Sequence, residues 1–125
     1  MDIRIKSVYA VRGPEDGYKV LVDDFLPASM NEKLAGVDLW MRMLTPSEGL
    51  KNMFEPIHDN WDKFIPAYFI ELEKEKGYLI EILTDLARSD GLTLFYSTSD
   101  PEHNIAVAVR DYILAREAGK LRKAA

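Results

Sequence analysis

Residues 96–104 read YSTSDPEHN and gather three aliphatic hydroxyls, two carboxylates and a histidine into nine positions. That set can bind a polar molecule, and His103 can carry a proton near neutral pH. The hydroxyls of Ser97 and Ser99 would sit before a helix, where free amides and the helix dipole favour an anion. The same residues also suit a plain turn, with Asp100 capping the helix, Pro101 at its first position and the hydroxyls bonding locally. No glycine accompanies them, so a phosphate-cradling P-loop is excluded.

A second pair of carboxylates, Asp23 and Asp24, follows the apolar run Val20-Leu21-Val22. Adjacent carboxylates can hold a metal ion or share a proton. Successive strand residues point to opposite faces, however, so Asp23 alone is the candidate for a site. The two histidines, His58 and His103, lack the spacing of metal ligands, and the chain has no cysteine. No metal site and no cofactor motif is expected.

These residues need elements to place them. Ile3, Ile5, Tyr9 and Val11 alternate with Arg4 and Lys6, the period of a strand with one wet face and an edge position. GPEDG (13–17) is a turn, and YKVLVDDF (18–25) contains a strand buried on both faces. The short link predicts an antiparallel hairpin of these two strands. LTLFY (92–96) is a third strand, reached through helices and therefore parallel to the second. About five helices are expected. Capping-box patterns start two of them, at Ser29 and at Thr45-Pro46. The first ends near Gly36, and Asp59 or Asn60 caps the third. Trp61, Phe64, Ile65, Tyr68, Phe69 and Leu72 form its apolar stripe, interrupted by Pro66. A fourth carries Leu79, Ile82, Leu83 and Leu86. The last runs from Glu102 to about Lys120, with basic residues near its end.

The fold class expected is α/β, with a small mixed three-stranded sheet: an N-terminal hairpin plus a parallel third strand. Residues 1–125 fit one domain, since the length suits one core and no linker or repeat interrupts it. In such sheets ligands lie outside the carboxyl ends of parallel strands. Asp23, Tyr96, Ser97, Ser99, His103 and Asn104 should therefore converge there. Asp23 and His103 have the chemistry for catalysis, and the residues leave an enzyme and a binding protein both open.

Composition narrows the partners. The formal charge of −5 argues against nucleic acid. No stretch is apolar enough for a membrane span, and the N-terminus does not read as a signal peptide, so a cytoplasmic protein is expected. Glutamine is absent and 30% of residues are charged, the direction taken by proteins of hot environments.

Four stretches resemble the YeaO-like branch of the domain-of-unknown-function family numbered 488. They are VYAVRGPEDGYKVLVDDFLP (8–27), TPSEGLKNMF (45–54), Trp61 with Phe64 and Tyr68, and LFYSTSDPEHNIAV (94–107). Asp16-Gly17-Tyr18 and Glu102-His103-Asn104 are the most specific parts. The resemblance implies an α/β domain without an established activity. Members of that family usually follow Val-Leu-Val-Asp with Arg-Leu-Trp-Pro-Arg-Gly, whereas residues 24–29 here are Asp-Phe-Leu-Pro-Ala-Ser. Both arginines, the side chains that grip anions bidentately, are gone. A small polar ligand, neutral or cationic, is one expectation. The other is a non-catalytic relative that acts through self-association or a protein partner.

Overall fold

The computed structural model describes residues 1–31 and 35–121. Four strands form one sheet: β1 (Ile3–Ser7), β2 (Tyr18–Leu21), β3 (Leu39–Trp40) and β4 (Leu92–Tyr96), in the spatial order β1-β4-β2-β3. Every neighbouring pair is parallel. Ile3 and Tyr18 both lie opposite Leu92, so β1 and β2 flank β4 in the same register. The α/β class holds. The hairpin does not, because β1 and β2 are not neighbours and run in the same direction.

The reason lies in the link. A parallel return commonly uses a helix, but a five-residue strand is only about 17 Å long and an intervening strand adds about 10 Å. Ten extended residues reach about 33 Å, so 8–17 cross back without an α-helix, with slack for the single 3-10 turn Pro14–Asp16. Three contacts fix this crossover against the sheet. Lys6 pairs with the buried Asp16 at 2.7 Å, Thr93 donates its hydroxyl to the Asp16 carbonyl at 2.7 Å, and the Arg12 guanidinium lies 4.3 Å from the Phe95 ring centre. Arg12 also donates to the carbonyls of Val8, Ala10 and Ala35.

The four α-helices among the described residues are α1 (Glu48–Phe54), α2 (Trp61–Glu75), α3 (Gly77–Ser89) and α4 (Ile105–Glu117). The helix expected at 29–36 spans residues 32–34, outside the described residues. Likewise Arg122 and Lys123, expected to complement the last helix, lie outside them. Helices α2, α3 and α4 all pack on one face of the sheet. Phe64, Tyr68, Leu72, Ile80, Leu83, Val109 and Tyr112 meet Val20, Leu92, Leu94 and Tyr96 there. The opposite face holds Val8, Leu21 and Phe95 under Leu26, Met30, Val37 and Trp40. All five residues of β4 are buried, as a central strand requires.

Three helix starts differ from the sequence patterns. Helix α1 begins at Glu48, with the Ser47 hydroxyl accepting the Leu50 amide, while the Thr45 hydroxyl donates back to the Arg42 carbonyl. Asn60 precedes α2 but does not cap it, because its amide group donates to the Phe54 and Pro56 carbonyls. Pro66 sits six residues into α2, past the first turn, and the helix runs on through it without an amide hydrogen bond at that position. Helix α4 begins at Ile105, and its cap is Asn104.

Gly17 joins the crossover to β2 with φ of 63°, a conformation that side chains resist. A Cβ there would lie 2.5 Å from the Gly91 carbonyl oxygen and 2.6 Å from that of Asp90, both backbone. Gly17→Ala is therefore expected to lose about 1–3 kcal/mol of stability, measured by urea denaturation. A change below about 0.5 kcal/mol would refute the close approach of the crossover to the β4 entrance.

Candidate functional site

At the carboxyl ends of β2 and β4 lies a cleft of about 750 Å³. Its walls are the loop after β2 (Asp23, Asp24, Phe25), the loop after β4 (97–104), helix α1 with Glu48, Lys51 and Asn52, and residues 55–58. The parallel sheet places it there, since β2 and β4 are neighbours that end on the same side.

Asp23 is 4% exposed and joins the two loops. Its carboxylate accepts the Ser97 amide at 2.6 Å, its carbonyl accepts the Trp40 indole N–H, and the Ser97 hydroxyl donates to the Phe25 carbonyl at 2.8 Å. Burial is the main reason its carboxyl is pushed up to about 6, with Asp24 pushing the same way and the Ser97 and Thr98 amides pulling it down.

The stretch 96–104 is largely a helix entry. The Asp100 carboxylate accepts the amides of Glu102 at 2.9 Å and His103 at 3.1 Å. These two bonds are the chief cause of its lowered pKa. The Asn104 side chain accepts the Val107 amide at 2.9 Å and donates to the Asp100 carbonyl at 2.9 Å. The amides of Glu102, His103 and Val107 thus already have internal acceptors. Capping, the plain alternative, accounts for Asp100 and Asn104, with the cap of α4 four residues later than placed by the sequence pattern.

Of the expected site residues, Asp23, Ser97, Ser99, His103 and Asn104 all line the cleft. Tyr96 does not; its side chain points into the helical core, as the alternation of β4 dictates. The Ser99 hydroxyl makes no hydrogen bond among the described residues. His103 stacks on Trp61 with ring centres 5.1 Å apart, and its Nδ1 lies 3.6 Å from Asp100. His58 reaches the same cleft from the opposite wall, beside Asp59 at 3.3 Å. Among the described residues no three His, Asp or Glu side chains converge as metal ligands.

The sequence reading missed the wall formed by α1. Lys51 pairs with Asp24 at 2.5 Å and Glu48 at 3.2 Å, and Asp24 is the first cause of its raised pKa. The only local signal was the i,i+3 spacing of Glu48 and Lys51, which many solvated helices share. Asp23, Asp24, Glu48, Glu55 and Asp100 line the cleft together with one lysine, which Asp24 and Glu48 already hold.

Helices on a parallel sheet, with a cleft at its carboxyl end, define an α/β domain. The chain belongs to the family described as the inactive DUF488-N3 subclade, which matches residues 2–124. It is 30% identical to the uncharacterized protein YeaO of Escherichia coli K12 over 115 residues, 90% of this chain and 97% of YeaO. It is also 30% identical over 70 residues to the uncharacterized protein Rv3073c of Mycobacterium tuberculosis, 56% of this chain and 59% of that protein. No solved structure matches. The resemblance to the YeaO-like branch is thereby shown. No helix among the described residues is long and apolar enough to cross a membrane.

The buried Asp23 charge has a consequence for stability. Its carboxyl titrates near 6 in the fold against 3.8 ordinarily, so the folded state holds this proton more tightly. The contribution is full below about pH 3.8 and is lost as pH rises through about 6, where the buried charge then costs about 3 kcal/mol. Asp23→Asn keeps an oxygen for the Ser97 amide and removes the charge. It should exceed the parent in stability by about 1–3 kcal/mol at about pH 8 and by little near about pH 4. Urea denaturation at both pH values checks this, and a variant weaker by the same amount at each would contradict it.

Proposed function

We propose that this chain is a non-catalytic binding module, a single YeaO-like domain acting in the cytoplasm, whose cleft takes a small organic cation or a neutral polar molecule. One observation carries the reading: five carboxylates face a cleft whose one lysine is already paired with two of them. Unlike a surface acidic patch, this cleft has the size of a small-molecule site. Two unit charges of like sign at about 5–8 Å, in an effective dielectric near 20, repel by roughly 2–3 kcal/mol. An anion would meet several such pairs, and three of the nearby amides that might offset them, those of Glu102, His103 and Val107, are engaged. A cation meets the reverse. Phe25, 46% exposed, and Ile57 offer apolar contact for the ligand's body. The family's description as inactive supports binding without turnover.

A thermal-shift series with spermidine, agmatine, phosphate and citrate tests this. A cation present at about 100 times its Kd adds about 2.7 kcal/mol of stability and raises the Tm, whereas the anions should leave it unchanged. Asp24→Arg should lower the cation response and admit phosphate. A parent that responds to phosphate and ignores both amines would end the proposal.

The second reading, self-association or a protein partner, is favoured by a separate feature. Tyr78 and Ile82 on α3 and Leu114 on α4 are 56%, 46% and 43% exposed. Sedimentation across a concentration series separates the two. A monomer at all concentrations supports the cleft, and a dimer lost on Ile82→Glu supports association.

A further inference from the structure

Lys51 reaches across the cleft wall from α1 to the loop after β2, joining residues 27 apart in the chain. Its ammonium lies 2.5 Å from the Asp24 carboxylate and 3.2 Å from that of Glu48. An ammonium carries three donors, and these two carboxylates take up most of that capacity. The bond to Asp24 is the main cause of its raised pKa, so it is a full cation at neutral pH. The acidic wall thus already holds an alkylammonium, one supplied by the chain itself.

Neither wall depends on that contact. Helix α1 is pinned from behind: the Ser47 amide donates to Glu71 at 3.1 Å, Lys76 donates to the Thr45 carbonyl, and Phe54 meets Phe64 edge-on with ring centres 6.2 Å apart. The loop after β2 is held through Ser97, which bonds both the Asp23 carboxylate and the Phe25 carbonyl. Both carboxylates that hold Lys51 stay in contact with water, with side chains 45% exposed at Asp24 and 83% at Glu48. A pair this exposed is weak, so its ammonium exchanges readily. Lys51 is a removable occupant, not a strut.

We propose that Asp24 and Glu48 form a primary-ammonium subsite of the cleft and that Lys51 is its resident occupant, displaced when a ligand's ammonium enters. The subsite deepens the cation reading given above, and its use by a free ligand rests on that reading. It also narrows the class of cation to one with a primary ammonium on a slender alkyl chain, as the lysine end has. A quaternary ammonium has no N–H to donate and cannot reproduce the two bonds. While the chain's own side chain fills the place, a ligand's apparent affinity is reduced to the vacant fraction. Removing the occupant should therefore raise that affinity about two- to fivefold, the range set by the strength of exposed pairs.

The probes are butylammonium, which copies the end of a lysine side chain, and tetramethylammonium, which carries the same charge without an N–H. Amide NMR titrations of the whole chain compare the parent with Lys51→Met, which keeps an unbranched stem and loses the charge. Butylammonium should bind the variant about two- to fivefold more tightly than the parent. Tetramethylammonium reads the general effect of removing one positive charge, and its gain should be smaller. Adding Asp24→Asn to Lys51→Met should abolish the extra gain, and Glu48→Gln on the same background repeats the test should that double variant not fold. Equal gains for the two cations, or an extra gain that survives loss of either carboxylate, overturn the subsite. Spermidine separates this inference from the reading beneath it. If spermidine binds the parent and Lys51→Met leaves its affinity unchanged, the cation cleft stands and the resident lysine fails. If butylammonium enters the variant as expected while the parent ignores spermidine, the subsite stands and the cation cleft fails as the protein's function.

Discussion

One hydrogen bond ties the architecture to the cleft: the Ser97 amide donating to the buried Asp23 carboxylate. It exists because β2 and β4 are adjacent and parallel with Leu21 opposite Phe95, so Asp23, two residues beyond Leu21, comes level with Ser97, two residues beyond Phe95. Its energetics pull in two directions. The bond to a charged acceptor is strong, yet burial makes the charge costly. The carboxyl settles between these demands, poised near 6 rather than in the ordinary range. A serine or asparagine there could accept the amide without that tension, and without any sensitivity to protons.

The sheet needs two covered faces, and the chain covers them by different means. Helices α2, α3 and α4 supply one layer, with Tyr68 and Tyr112 among its largest buried side chains. The other face depends on the crossover from β1 and its polar anchors. Lys6, Asp16 and Thr93 place an ion pair with a buried carboxylate and a buried hydroxyl on the sheet, and Arg12 covers Phe95. An ion pair like this holds the crossover in one position more than it adds stability, since desolvation offsets much of the attraction. Gly17 follows directly, because the crossover must pass close to the Asp90 and Gly91 carbonyls to enter β2.

These features explain what the sequence could show. The continuous run Val20-Leu21-Val22 announced a strand buried on both faces and LTLFY a further strand, and both are central. Residues 3–7 showed one-sided alternation and form an edge. Direction was illegible, because the length of a link bounds the connection but does not reveal whether it crosses extended. Strand β3 was missed because two residues carry no period. In the site, position in chain order pointed to Asp23, Ser97, Ser99, His103 and Asn104, all on the two strand-end loops. Tyr96 was misplaced by parity, one residue short of the loop. Lys51, Glu55 and His58 could not be found this way, since they reach the cleft through the packing of α1 and the turn after it.

The cleft's electrostatics follow from which partners are internal. At an open strand end, free helix amides and arginines are what ordinarily recommend an anion. Here Asp100 has taken the amides of Glu102 and His103 ahead of α4, Asn104 has taken that of Val107 in its first turn, and residues 24–29 contain no arginine. The remaining cation, Lys51, is divided between Asp24 and Glu48, both exposed enough that the pairing is weak and exchangeable. A cationic ligand would therefore compete with Lys51 for Asp24 and Glu48 at little cost. An anion would have to displace both carboxylates to reach the same ammonium. The asymmetry comes from the order of the contacts, not from the net charge of the chain.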